Sequence, residues 1–192
     1  MMDMADDALA PSRRTALLQL GALCGLALSG DLLAAVARPR KAGPPELLTP
    51  AELALTGVLA ELIIPRTDTP GALAVGAHRT IDHLLHACAT ATQQAGYRAG
   101  LTRIEAVALA QAGKPFAVLP SPRQTALLHR LDAGADPFTA ADREFFRQLK
   151  GYVAFAYYTS EAGATRELAY LPVPGGFTGS VKVTRATRAW AI

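Results

Sequence analysis

Twice this chain sets a hydroxyl, a proline and then a Glu or Gln in the spacing of a helix start, and that punctuation leaves little room for anything but helices. Thr49-Pro50-Ala51-Glu52 puts a hydroxyl at the N-cap, proline at N1 and a carboxylate at N3, so two orphan amides of the first turn gain acceptors. Leu55, Leu59, Leu62 and Ile63 follow at helical spacing, and Pro65 ends the run. Ser121-Pro122-Arg123-Gln124 repeats the pattern and predicts a helix to about Ala133. Thr139-Ala140-Ala141-Asp142 opens a longer one, through Phe145, Phe146, Leu149 and Val153 to about Tyr158.

Between these lie a predicted helix from about Ala77 to Ala91, burying Ile81, Leu84, Leu85 and Cys88, and one from about Gln94 to Ala112, with Leu101, Ile104, Val107 and Leu109 inward and Gly113 as its stop. Phe116, Val118 and Leu119 lie in a short apolar connection that should pack across the helices. A short helix from Ala164 to about Tyr170 precedes a tail too rich in proline and glycine for regular structure. The fold class is all-α: a compact bundle of about five to six helices with an irregular C-terminal tail.

The first residues follow a different grammar. Arg13 and Arg14 precede an apolar run from Ala16 to Gly30, and a small-x-small triplet, Ala35-Val36-Ala37, closes the segment. This is the layout of a cleavable export signal, and the paired arginines point to the twin-arginine route and a periplasmic address. The run is short for a bilayer span, which needs about 20 residues. Residues 1–37 therefore read as a signal, 38–48 as a Pro/Gly-rich linker and 49–192 as one helical domain. Ala16, where a bulky apolar residue is usual, and the acidic Asp3, Asp6 and Asp7 depart from the strongest signals of this kind.

Cleavage after Ala37 leaves 155 residues with 17 basic and 12 acidic side chains, a net charge of +5. The basic residues are scattered, which argues against nucleic acid as a partner. Only Cys88 remains in that chain, so an internal disulfide is excluded. Cys88 is either a small core residue or a thiol facing a partner. The sequence has no dinucleotide-binding glycine motif, Walker loop or haem-attachment motif. His83 and His86, three apart on a helix with His78 and Cys88 nearby, are the best metal candidates, but a zinc site wants more ligands and no HExxH pattern is present. Asp82 is placed to pair with His86, and Ser160 to cap the helix that follows. The expectation is no catalytic, metal or cofactor site in this chain, with a free-standing helical enzyme or metal-binding protein using His83 and His86 as the alternative. Phe145, Phe146, Tyr152, Phe155, Tyr157 and Tyr158 spread around one helix, so some rings belong to a surface.

Several segments together resemble the gluconate 2-dehydrogenase subunit 3 family. They are Leu59-Ala60-Glu61-Leu62-Ile63-Ile64-Pro65-Arg66-Thr67-Asp68-Thr69-Pro70-Gly71-Ala72, Ile81-Asp82-His83-Leu84-Leu85, Phe145-Phe146-Arg147-Gln148-Leu149-Lys150-Gly151, Tyr158-Thr159-Ser160-Glu161-Ala162-Gly163-Ala164-Thr165 and Tyr170-Leu171-Pro172-Val173-Pro174-Gly175. Leu171 departs from the acidic residue that the family often carries before Pro-Val-Pro-Gly. The resemblance implies a non-catalytic small subunit of a membrane-associated sugar or polyol dehydrogenase. Its partner would be a large FAD-binding subunit of the glucose-methanol-choline type, which it helps to mature and escorts through the twin-arginine (Tat) translocase. A multihaem cytochrome c is a frequent third subunit. FAD would then sit in the partner and not in this chain. On this reading Thr67, Asp68, Thr69 and Pro70, the turn holding Ser160 and Glu161, and the rings of Phe146, Tyr157 and Tyr158 are candidates for the partner interface. The loop residues equally suit the bundle's own turns.

Overall fold

A computed structural model describes residues 43–169, 175–176, 179–180, 182–184 and 187–190. The signal residues Arg13, Arg14, Ala35 and Ala37, and the 171–174 motif, lie outside the described residues. Residues 44–192 form one compact unit. Within it run α1 (Pro50–Ile63), α2 (Ala77–Cys88), α3 (Ala91–Ala112), a 3-10 turn (Phe116–Val118), α4 (Ser121–Ala133), α5 (Ala140–Tyr158) and a π-helical turn (Gly163–Glu167). The described residues are all-α, with no strand beyond an isolated bridge. None of their helices is long and apolar enough to cross a membrane.

α5 is the central element: it packs on each of the other four helices. Its buried stripe is Phe146, Leu149, Val153, Ala156 and Tyr157, one helical face repeated over three turns. Ala77, Ile81 and Leu85 of α2, Leu101 and Ile104 of α3, Leu59 of α1 and Leu127 and Leu131 of α4 belong to the same core, and each large side chain withdrawn from water contributes about 1.5–3 kcal/mol. Tyr97 meets Phe145 and Tyr152 edge-on at 5.7 and 6.2 Å between centroids, and its hydroxyl finds Thr56 Oγ1 at 3.3 Å. Burial pushes the Tyr97 phenol well above its ordinary pKa, so it stays a neutral hydrogen-bonding group.

Helix boundaries follow the capping chemistry. Thr49 with Glu52 and Thr139 with Asp142 form reciprocal capping boxes. A third box, Thr90 with Gln93, starts α3 three residues earlier than the apolar periodicity indicates and stops α2 at Cys88. Gln94 then satisfies α2's last carbonyls, donating to Leu85 O at 2.9 Å and Ala89 O at 3.2 Å.

Ser121 does not cap α4. Pro120 occupies that place, and Gln124 is turned inward to donate to Phe116 O at 3.0 Å, because the buried connection before α4 needs its carbonyls satisfied. In that connection Phe116 and Leu119 are buried but Val118 is 63% exposed, since a 3-10 turn cannot aim three neighbouring side chains the same way. Leu109 also faces outward, its place in the core taken by Ala108. Cys88, at the end of α2, is exposed and not a core residue. After α5 the chain makes the π-turn in place of the anticipated helix to Tyr170.

Residues 44–48, read from sequence as the end of a linker, belong to the folded unit. Leu48 is buried. The Asp82 carboxylate, itself buried, accepts the backbone N–H groups of Glu46, Leu47 and Leu48 at 2.6, 3.1 and 2.8 Å. Asp82 is thereby spent on this clamp and not on His86. His83 Nδ1 lies 2.9 Å from Glu46 Oε2, and Arg98 donates to Leu47 O at 2.9 Å.

A braced loop pair at the end of the central helix

The loop after α1 is built around Glu61. This carboxylate accepts Arg66 N–H at 3.0 Å and Leu73 N–H at 2.9 Å, drawing both ends of the loop together. Gly71 makes the wrap possible: a Cβ there would run into both Glu61 carboxylate oxygens and lie 2.7 Å from Arg66 N. At the exposed tip, Thr67 Oγ1 donates to Asp68 Oδ1 at 2.9 Å, and Thr67 N–H donates to Thr69 O at 3.1 Å. Thr67, Asp68 and Thr69 thus order their own turn.

The end of α5 is held with similar economy. Ser160 Oγ donates to Tyr157 O at 2.6 Å and accepts Gly163 N–H at 3.1 Å, so Ser160 does cap the turn that follows. A Cβ on Gly163 would collide with Tyr157 O, which accounts for the glycine.

Tyr157 joins the two loops. Its hydroxyl donates to Pro70 O at 3.0 Å and lies 3.3 Å from Thr69 Oγ1. Thr69 in turn donates to the Glu167 carboxylate. Two hydroxyl protons thus meet two acceptors, Pro70 O and Glu167 Oε1, and the network is satisfied. The far end of the chain is fastened to the same turn: Arg188 Nε donates to Glu167 O at 3.0 Å, and Ala169 N–H to Ala189 O at 2.7 Å.

Of the residues singled out from sequence, Thr69, Pro70, Tyr157, Ser160 and Glu161 are brought together, with Thr67 and Asp68 at the tip of the same loop. Pro70, Ala74, Val75, Ser160, Glu161 and Arg166 line a groove of about 350 Å³ between the two loops. Phe146 and Tyr157 are corrected as partner-facing rings. Phe146 is 4% exposed and Tyr157 1% exposed, because both point along α5's core stripe. Tyr158 does face outward, at 43%. Phe155, 54% exposed one turn earlier, is the ring that sequence reasoning left unassigned. Its signal was positional: 155 falls outside the 146-149-153-156-157 stripe. Phe155 and Tyr152 edge an uncharged groove of about 560 Å³, together with Leu84, Gln93, Gln148 and Gly151.

His83 and His86 are not joined by a third ligand among the described residues. His83 is engaged by Glu46, and no group of three or more His, Cys, Asp or Glu residues among the described residues is placed to hold an ion.

The class defined by the described residues is an all-helical protein that carries a braced loop pair at the end of its central helix and exposed aromatic rings on that helix. Residues 50–175, from the first position of α1 to just past the π-turn, match the family model for gluconate 2-dehydrogenase subunit 3, and the chain belongs to that family, an accessory subunit of a dehydrogenase complex. No curated protein and no solved structure matches the chain.

Proposed function

We propose that this chain is the non-catalytic small subunit of a periplasmic, FAD-dependent sugar or polyol dehydrogenase. It binds the large flavoprotein subunit, of the glucose-methanol-choline type, and supports its maturation. It also carries that subunit through the twin-arginine pathway on its own leader. FAD belongs to the large subunit, and a cytochrome c is a third member of such a complex.

The observation that carries this reading, beside family membership, is the surface at the end of α5. Glu61, Tyr157, Ser160 and Glu167 fix two loops against each other and against the C-terminal residues. Tyr158 is exposed and meets the Tyr157 ring edge-on, and Phe155 is exposed one turn earlier on the same helix. A rigid backbone surface with adjoining exposed aromatic rings loses little entropy on docking and offers the residue types that dominate interface energetics.

The test is affinity isolation of the tagged full chain from cells that hold its native operon, with an absorbance spectrum of the eluate. A stoichiometric large protein with flavin bands is expected, and its export should fail when Arg13 and Arg14 are both changed to lysine. A colourless chain eluting alone would overturn the reading.

A further inference from the structure

We propose that the groove between the C-terminal end of α3 and α4 is a second docking surface, which takes an acidic helical segment of a partner protein. The groove encloses about 250 Å³. Arg123, Leu127 and Arg130 line it from α4, Ala112 from α3 and Leu119 from the connection between them. Positions 123, 127 and 130 follow i, i+4, i+7 spacing, so they form one stripe along the helix.

Its charge is one-sided. No carboxylate lines the groove. Among the described residues the Arg123 side chain makes no hydrogen bond or ion pair, and only its backbone N–H is engaged, by Pro120 O. Arg130 donates to Asp136 O, and the Asp136 carboxylate is only at the outer edge of pairing, 3.9 Å away. Ala126 and Leu127, between the two arginines on α4, give the groove an apolar floor beside the uncharged Gln111 of α3, and the adjacent Val118 is exposed where a valine gains nothing from water.

This arrangement selects its occupant. The two arginines are seven residues apart, about 10.5 Å along the helix axis, which is the separation of two Glu side chains at i and i+7 on a facing helix. Arginine forks match carboxylates in bidentate geometry, and the apolar floor receives the Leu or Ala side chains between them. A concave strip of this shape suits a rod bearing side chains better than the flat surface of a bilayer. The surface shares no residue with the α5 end, so it stands or falls independently of large-subunit binding.

The experiment uses the full chain and a fluorescent helical peptide with two Glu seven positions apart over a Leu/Ala face, read by anisotropy. The matching peptide with Gln in place of Glu, and vesicles of phosphatidylglycerol, serve as the other probes. The acidic peptide is expected to bind, to weaken as salt rises, and to bind about tenfold or more weakly to the Arg123→Glu/Arg130→Glu variant. Arg123→Gln alone, which leaves the Asp136 contacts in place, should give an intermediate loss. Equal binding of the Gln peptide, or unchanged binding by the charge-reversed variants, would overturn the proposal. So would binding to the vesicles without binding to the acidic peptide, which would assign the groove to a membrane surface instead.

Discussion

Glu61 and Gly71 form a pair in which neither works without the other: the carboxylate closes the loop, and the missing Cβ lets it do so. Gly71→Ala should therefore destabilise the fold by about 2–3 kcal/mol through overpacking against a charged group, measured as a fall in urea midpoint. Gly151→Ala is the control. It is also a glycine in a quoted family segment, but a Cβ there meets open space. In mid-helix that change should be neutral or stabilising by up to about 1 kcal/mol. Two glycines of equal standing in the sequence thus carry opposite expectations. His78 provides a pH handle. Its ring is half-buried with Nδ1 unpaired, and burial, aided by neighbouring Arg79, lowers its pKa from the ordinary 6.5. With the folded-state value depressed, the unfolded chain binds the proton more readily, so this contribution is present above about pH 6.5 and lost as the pH falls below it. Urea titrations at pH 7.5 and pH 5 should show that decline, and His78→Gln should flatten it.

On the scale of elements, α5 has two faces that a linear aromatic run conceals. Phe146→Ala should cost about 3–5 kcal/mol, since it empties a core position, and any loss of partner binding should follow from loss of folded protein. Phe155→Glu should leave the urea midpoint nearly unchanged and abolish co-isolation of the large subunit. Measuring both properties for both variants separates the roles, and a Phe155→Glu chain that still retains its partner would move the interface elsewhere. The existence of α5 and its limits were legible from Thr139, Asp142 and the apolar period. Which rings were inside was also encoded there, in the 146-149-153 register, but Tyr157 looked like a surface residue because its polar tip gives no hint that Pro70 and Thr69 wait for it. The start of α3 was missed for a different reason: Thr90 and Gln93 form a capping box with neither proline nor acid, so the apolar pattern dominated the reading.

At the scale of the whole unit, single polar groups fasten residues 46–48 and the described residues near the C-terminus onto the bundle. Asp82 gathers three successive amides of residues 46–48, and Arg188 fastens the C-terminal residues to the π-turn. Asp82→Ala should leave those amides without their acceptor and cost about 2–3 kcal/mol. Hydrogen exchange should show the Leu48 amide losing protection ahead of amides in α5. Equal protection at both sites in the variant would show that the N-terminal clamp is not a separate local unit.

The sequence by itself determined the helices, because caps, glycine stops and 3.6-residue apolar spacing are local properties, and it determined the family, because the quoted segments occur in order along the chain. Only the tertiary structure decided what Glu61, Asp82 and Glu167 are for. A carboxylate reads the same whether it faces water, gathers backbone amides from 5 or 36 residues away, or accepts a hydroxyl from 98 residues away. The outward turn of Phe155, Val118 and Cys88 was decided there too, since periodicity marks a face as apolar but packing sets where the core ends.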